Sequence, residues 1–387
     1  MSKRFLLVAL CALLSSCGTV KNAFKNILPS DDTVEPPAEL VEFEATLELE
    51  KLWNSRPGRG AAKLFLKLAP VAAGEAIYTA ERKGRVSSVS LTNGRLIWQI
   101  DANVPISGGP GIGENLVMIG SSDGEVLALA IATGEFQWRA RVSSEILAAP
   151  KEKDGVVVVR TIDGKLSGLD SNSGRRLWIY DRTVPTLTLR GTSSPAVFED
   201  LVVAGFDSGR LVAIELTTGR LVWETQIAIP SGRSDLERMV DIDAEPLIYN
   251  RTVYVATFQG RVAAVSVDTG RIEWSRDISS HAGLAIDDTN VYLTDADSNV
   301  WALDRLTGSS LWKQENMHGR RLTAPASIAG HVVVGDLDGY LHWLKDGNGE
   351  FAARVRMGRK RLIAPPIASG GVLVAYSMSG SLVAYRP

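Results

Sequence analysis

The stretch LTNGRLIWQI, Leu91 to Ile100, decides the fold. Alone it reads as a strand end, a glycine turn and a second strand. Close copies follow: IATGEFQWRA at 131–140, SNSGRRLWIY at 171–180, LTTGRLVWET at 216–225, VDTGRIEWSR at 267–276 and RLTGSSLWKQ at 305–314. Each places a tryptophan four residues after a glycine, in the pairs Gly94/Trp98, Gly134/Trp138, Gly174/Trp178, Gly219/Trp223, Gly270/Trp274 and Gly308/Trp312. A seventh copy, KDGNGEFAAR at 345–354, keeps Gly349 but has Ala353 where the tryptophan belongs. The tryptophans are spaced by 40, 40, 45, 51 and 38 residues. A fixed period in this range is the mark of a repeat architecture.

A second signal runs about ten residues ahead of each glycine. Tight turns are expected at Lys83-Gly84, Asp123-Gly124, Asp163-Gly164, Ser208-Gly209, Gln259-Gly260, Ser298-Asn299, Asp338-Gly339 and Ser379-Gly380. Such pairs between alternating apolar runs mark hairpins. Each unit therefore holds four short strands and no capped helical stretch. Four strands repeated at this period predict an all-β, eight-bladed β-propeller of four-stranded blades. The last unit lacks a fourth strand before Pro387, and a spare strand, ATLELEKLW, ends at Trp53. Trp53's strand is expected to join the C-terminal blade and close the ring, which removes exposed sheet edges.

The glycine suits a turn conformation that other residues resist. The tryptophan is read as a staple between blades. Burying one indole removes roughly 150–250 Å² from water, at most about 4–6 kcal/mol per copy. These staples matter because disulfides are not expected. The only cysteines are Cys11 and Cys17, both near the N-terminus.

That N-terminus is expected to lie outside the fold. Lys3 and Arg4 precede an apolar run, FLLVALCALL, at 5–14. The run is too short to span a bilayer, which takes roughly 20 helical residues, and reads as a secretory signal. The segment that follows, to about Phe43, contains LPSDDTVEPPAE and reads as a flexible linker. The expected organisation is a signal peptide at 1–16, a tether at 17–43 and the propeller at 44–387.

Composition narrows the function. The formal net charge is −2, and GRKR at 358–361 is the one short basic run. Nothing in this asks for nucleic acid. The four histidines show no zinc-protease spacing, and no G-x-S-x-G elbow is present. DADSN, Asp295 to Asn299, resembles the start of a calcium loop. Val300 stands where that loop needs glycine, and Leu306 where it needs glutamate. GGPGIG at 108–113 lacks dinucleotide spacing and reads as a connection between blades. No catalytic residue, metal or cofactor is expected.

The repeat, roughly A-x-[DES]-x-x-T-G-x-x-x-W, resembles the tryptophan-docking repeat of the PQQ-dependent quinoprotein dehydrogenases. That resemblance runs from about Leu47 to Pro387 and implies the eight-bladed fold. LSSC, at 14–17, resembles the bacterial lipobox, which implies lipidation at Cys17. Gly18 after it, in place of aspartate, implies sorting to the outer membrane of a Gram-negative cell, on the periplasmic face. The combination resembles the propeller lipoproteins of the outer-membrane β-barrel assembly machinery. It implies a non-enzymatic scaffold that binds the POTRA domains of the central barrel subunit and helps deliver barrel proteins. Unfolded outer-membrane proteins are then a second class of partner.

Two segments match that family's partner-binding loops, and they also stand out by length. The repeats ending at Trp223 and Trp274 take 45 and 51 residues. Their extra residues must form loops, where binding concentrates. The first contains TLTLRG, with Leu187, Leu189 and Arg190; the second contains IPSGRSDLERMVDIDAEP, with Asp241 and Asp243. Both precede an innermost strand of neighbouring blades, so they should share one face. Two leucines offer an apolar anchor and Arg190 a planar fork of donors. The aspartates would orient Arg190 or pair with a basic group on the partner; the plainer reading is a strand edge with turn-capping aspartates. The alternative function is a periplasmic quinoprotein-like enzyme, or a small-ligand binder using the propeller channel. In the quinoprotein family the cofactor sits against an adjacent Cys-Cys disulfide, which this sequence lacks.

Overall fold

A computed structural model of the chain describes residues 36–60, 66, 68–182, 193–230 and 240–387. The strands of 50–386 form eight four-stranded antiparallel sheets. Seven are continuous in sequence: blade 1 at 71–101, blade 2 at 106–141, blade 3 at 151–180, blade 4 at 196–226, blade 5 at 247–276, blade 6 at 284–314 and blade 7 at 326–356. Blade 8 combines the three strands of 367–386 with the N-terminal strand Glu50–Ser55. There Glu50 pairs with Arg386 and Trp53 with Ala384. The ring is closed by its two ends, as the spare strand predicted.

Within a blade the second and third strands are almost fully buried, as in Val156–Arg160 and Val262–Ser266. In blades 1 to 4 the outermost strand buries a single residue, the tryptophan. Hairpins between the second and third strands span three to five residues. In blade 1 the loop closes through Glu81 N to Arg85 O and Gly84 N to Glu81 O. In blades 5 and 6 the positive φ falls on Gln259 and Ser298, one residue before the predicted position.

The tryptophan staple has a defined partner. Each indole donates to a backbone carbonyl in the next blade, as in Trp98 Nε1 to Ile131 O at 3.0 Å and Trp138 Nε1 to Ser171 O at 2.6 Å. The glycine of each repeat serves the preceding blade's tryptophan. Gly134 has φ +75°, and a Cβ there would sit 2.6 Å from the Trp98 ring. Gly and Trp of one repeat thus face opposite neighbours, so the motif propagates around the ring.

Across each sheet the tryptophan faces a small residue: Ser88, Ala128, Gly168, Ala213, Ala264 and Ala302. Blade 7 reverses the pair, with Trp343 opposite Ala353. Its neighbour explains the reversal. In blade 8 the third and outermost strands come from opposite ends of the chain, so no glycine turn joins them to receive an indole. The N-terminal segment lies there instead. Thr46 N and Leu47 N donate to Ala352 O, and Phe43 stacks on Phe351 at 5.2 Å. Arg354 lies 4.9 Å from the Phe43 ring centre and donates to Val41 O at 2.9 Å.

GGPGIG is not a connection. Most of it lies in the innermost strand of blade 2, Ile106–Ile112. A Cβ at Gly108 would meet the carbonyls of Ile146 and Ala148 at 2.7 Å, so the glycines permit close backbone approach.

Candidate functional site

Connections from an outermost strand to the next innermost strand share one face with the hairpins between second and third strands. The two long insertions lie at this position, at 181–195 between blades 3 and 4 and at 227–246 between blades 4 and 5. They leave adjacent blades on the same side of the ring. Leu187, Leu189 and Arg190 lie outside the described residues, as does Cys17 with the leader and most of the tether. What is described is the foot of each insertion.

The foot of the second insertion is packed inward. Val240, Asp241, Ile242, Asp243 and Ala244 are all buried, with Asp241 2% and Asp243 7% exposed. Ile242 fills the space that the absent side chain of Gly205 leaves. The Asp241 carboxylate accepts from Ser208 N at 3.4 Å, and its carbonyl accepts from Phe258 N at 2.9 Å. The segment is therefore tied to hairpins of blades 4 and 5. Glu245 pairs with Lys151 of blade 3 at 2.6 Å, and both line the central channel. The channel cavity measures about 270 Å³ and is lined chiefly by small and apolar residues, among them Pro110, Leu147 and Leu284.

Beneath both feet lies Arg160, the last residue of the second strand of blade 3 and 1% exposed. Its Nη1 donates to Ser193 Oγ at 2.8 Å and to Ser193 O at 3.3 Å. Its Nη2 lies 3.7 Å from Asp207, and its guanidinium sits 4.9 Å from the Phe206 ring centre. Burial lowers the Arg160 pKa from its ordinary value, while the charges of Asp207, Asp243 and Asp241 oppose that shift. Burial also pushes the Asp207 carboxyl up to about 6; Arg160 pulls it down, and Asp241 and Asp243 repel it. Asp241 and Asp243 thus share a buried cluster with Arg160 and Asp207.

A second cluster fixes the other end of the first insertion. Arg182 grips Glu224 with two hydrogen bonds of 2.9 and 3.0 Å, and Arg210 pairs with the same carboxylate. The Arg182 hydrogen bonds hold Glu224 down at about 2, with Arg210 adding to the effect. Arg182 also lies 5.8 Å from the Phe206 ring centre. Phe206 therefore stands near both the Arg160 and the Arg182 guanidinium.

Sequence reasoning did not single out Arg160, Arg182, Asp207 or Glu224, whose partners are far away in the chain. It also passed over a third long connection, 56–70 between blades 8 and 1, whose signal is the 45-residue spacing from Trp53 to Trp98. Among the described residues no group of three or more His, Cys, Asp and Glu side chains is placed to hold a metal. The Asp295 carboxylate of the calcium-like DADSN accepts from the Asp297 and Asn299 backbone, from the Asn299 amide and from the Trp301 indole. It caps its own hairpin.

Fold and site together define an eight-bladed propeller of PQQ-type repeats, in which the feet of two long insertions are braced by buried charge. A family model described as outer membrane protein assembly factor BamB matches residues 82–314. The BamB of Alkalilimnicola ehrlichii is 45% identical over 382 residues, covering 98% of this chain and 96% of that one. The BamB of Pseudomonas aeruginosa is 46% identical over 350 residues, covering 90% and 92%. The chain belongs to the BamB family. The crystal structure of BamB from Moraxella catarrhalis superposes with a TM-score of 0.79 at 29% identity, covering 88% of this chain and all of that one. A quinohemoprotein alcohol dehydrogenase from Pseudomonas putida gives 0.67 at 15% identity, a likeness of fold alone. The relatives are assembly factors, and the chain is not an enzyme.

Proposed function

We propose that this chain is a lipid-anchored scaffold of the outer-membrane β-barrel assembly complex. It docks to the POTRA domains of the central barrel subunit and assists insertion of barrel proteins. The observation that carries this reading is the pair of long insertions, on adjacent blades of one face, with feet braced by buried charge. A propeller is rigid, and loops set on a rigid scaffold suit recognition. Leu187, Leu189 and Arg190 supply the contact, two apolar anchors beside a fork of donors. Asp241 and Asp243 belong to the same face as positioning groups, since their burial suits orienting a loop better than meeting a partner directly. Cys17 carries the lipid, and the tether lets the propeller hang in the periplasm. Unfolded barrel proteins are a second class of partner.

The test is binding of the soluble form, residues 18–387, to the periplasmic region of the central subunit. Leu189→Ala and Arg190→Glu should each weaken binding by about 2 kcal/mol or more, as hot-spot residues do, with the melting temperature unchanged. Wild-type affinity in both variants would move the contact off the insertions.

A further inference from the structure

We propose that Arg160 couples the two insertions, holding the foot of the first and the acidic foot of the second as one unit, and so acts as a positioning residue for the face above it. Arg160 belongs to neither insertion; it ends a strand of blade 3. Its Nη1 binds Ser193, the first described residue of the first insertion after residue 192. Its Nη2 lies 3.7 Å from Asp207, in the hairpin between the insertions, and the next residue of that hairpin, Ser208, donates to Asp241 of the second insertion at 3.4 Å. The charges of Asp241 and Asp243 also favour its charged form.

The spacing of the second foot fits this. Asp241, Asp243 and Glu245 alternate with the buried Ile242 and Ala244. Asp241 is linked to Arg160 through Ser208 and Asp207, and Glu245 reaches Lys151 directly. Both cations lie on blade 3, while the acids lie on the segment entering blade 5, so the foot spans blade 4. A guanidinium can serve several acceptors at once because its five donors form a fixed fork, which an ammonium does not provide. A buried charge is costly unless it is well paired. Here Arg160 holds Ser193 and Asp207 directly, and Ser208, next to Asp207, donates to the Asp241 carboxylate, so loosening one foot weakens the hold on the other. The Phe206 ring, 4.9 Å from the guanidinium, helps to set its position.

The coupling itself is independent of the docking reading; its consequence for the partner rests on that reading. Amide hydrogen exchange on the full-length chain tests it, with Ser193→Ala and Arg160→Met. Ser193→Ala removes one acceptor from the first foot and is mild enough to fold. It should speed exchange at 193–195 and also at 240–246, while blade 7 stays unchanged. Arg160→Met should speed both feet by about tenfold or more, the scale of a local opening made easier. Arg160→Lys should recover only part of the protection. Faster exchange at 193–195 with 240–246 unchanged, in either variant, would overturn the coupling. Titrating the same variants against the periplasmic region of the central subunit separates the two readings. Weaker binding in step with exchange supports Arg160 as a positioning residue for docking. Faster exchange at both feet with unchanged binding would overturn that role while the coupling stands; failure of the docking site itself is read from Leu189→Ala and Arg190→Glu.

Discussion

One glycine and one indole do most of the work of joining blade to blade. Gly134 must satisfy two demands: a left-handed backbone, at φ +75°, and room for the Trp98 ring. Gly74 has only the first, since φ is +57° and a Cβ there would meet nothing within 4 Å. The two can therefore be separated by experiment. Gly74→Ala should cost about 1–2 kcal/mol, the left-handed penalty alone. Gly134→Ala should cost about 2–4 kcal/mol, because overpacking against Trp98 adds to it. Denaturant midpoints compare the two, and equal losses would show that the indole contact contributes little. The same demands explain why the repeat was legible. A dock that needs one residue without a side chain and one large donor leaves fixed letters at a fixed spacing.

At the scale of the blade, blade 7 shows how a repeat adapts when its neighbour lacks a receptor. The large residue moves from the outermost strand to the third strand, as Trp343 opposite Ala353. The N-terminal segment, held through Phe43 and Arg354, lies along the freed edge. Trp343→Ala should cost about 3–5 kcal/mol, the loss expected for a buried tryptophan. Adding Ala353→Trp restores the pattern of the other blades but not the missing glycine turn, so thermal melting should show only partial recovery. Full recovery would mean that the indole needs no receptor. From sequence, Ala353 looked like a lapse in the repeat and Trp343 carried no signal, because the reason for both lies at the far end of the chain. The glycines of GGPGIG misled for a related cause: they mark close approach of neighbouring backbone, which spacing alone does not reveal.

For the whole molecule, ring closure and the placement of two long insertions on one face followed from period and length. The buried charges beneath that face did not. Arg160 meets Ser193 and Asp207, and Arg182 meets Glu224, across dozens of residues with no repeat to flag them. The sequence singled out Asp241 and Asp243 as candidate binding residues, and the structure shows both buried at the foot of the loop. Docking through the two insertions is the proposed role of this propeller. Site-specific photocrosslinking in intact outer membranes tests it most directly, with the probe at position 189 in the first insertion or at position 311 on the rim of blade 6, where Leu311 is exposed. Docking through the insertions should give a crosslink to the central barrel subunit from position 189 and none from position 311. A crosslink from 311 alone would contradict it.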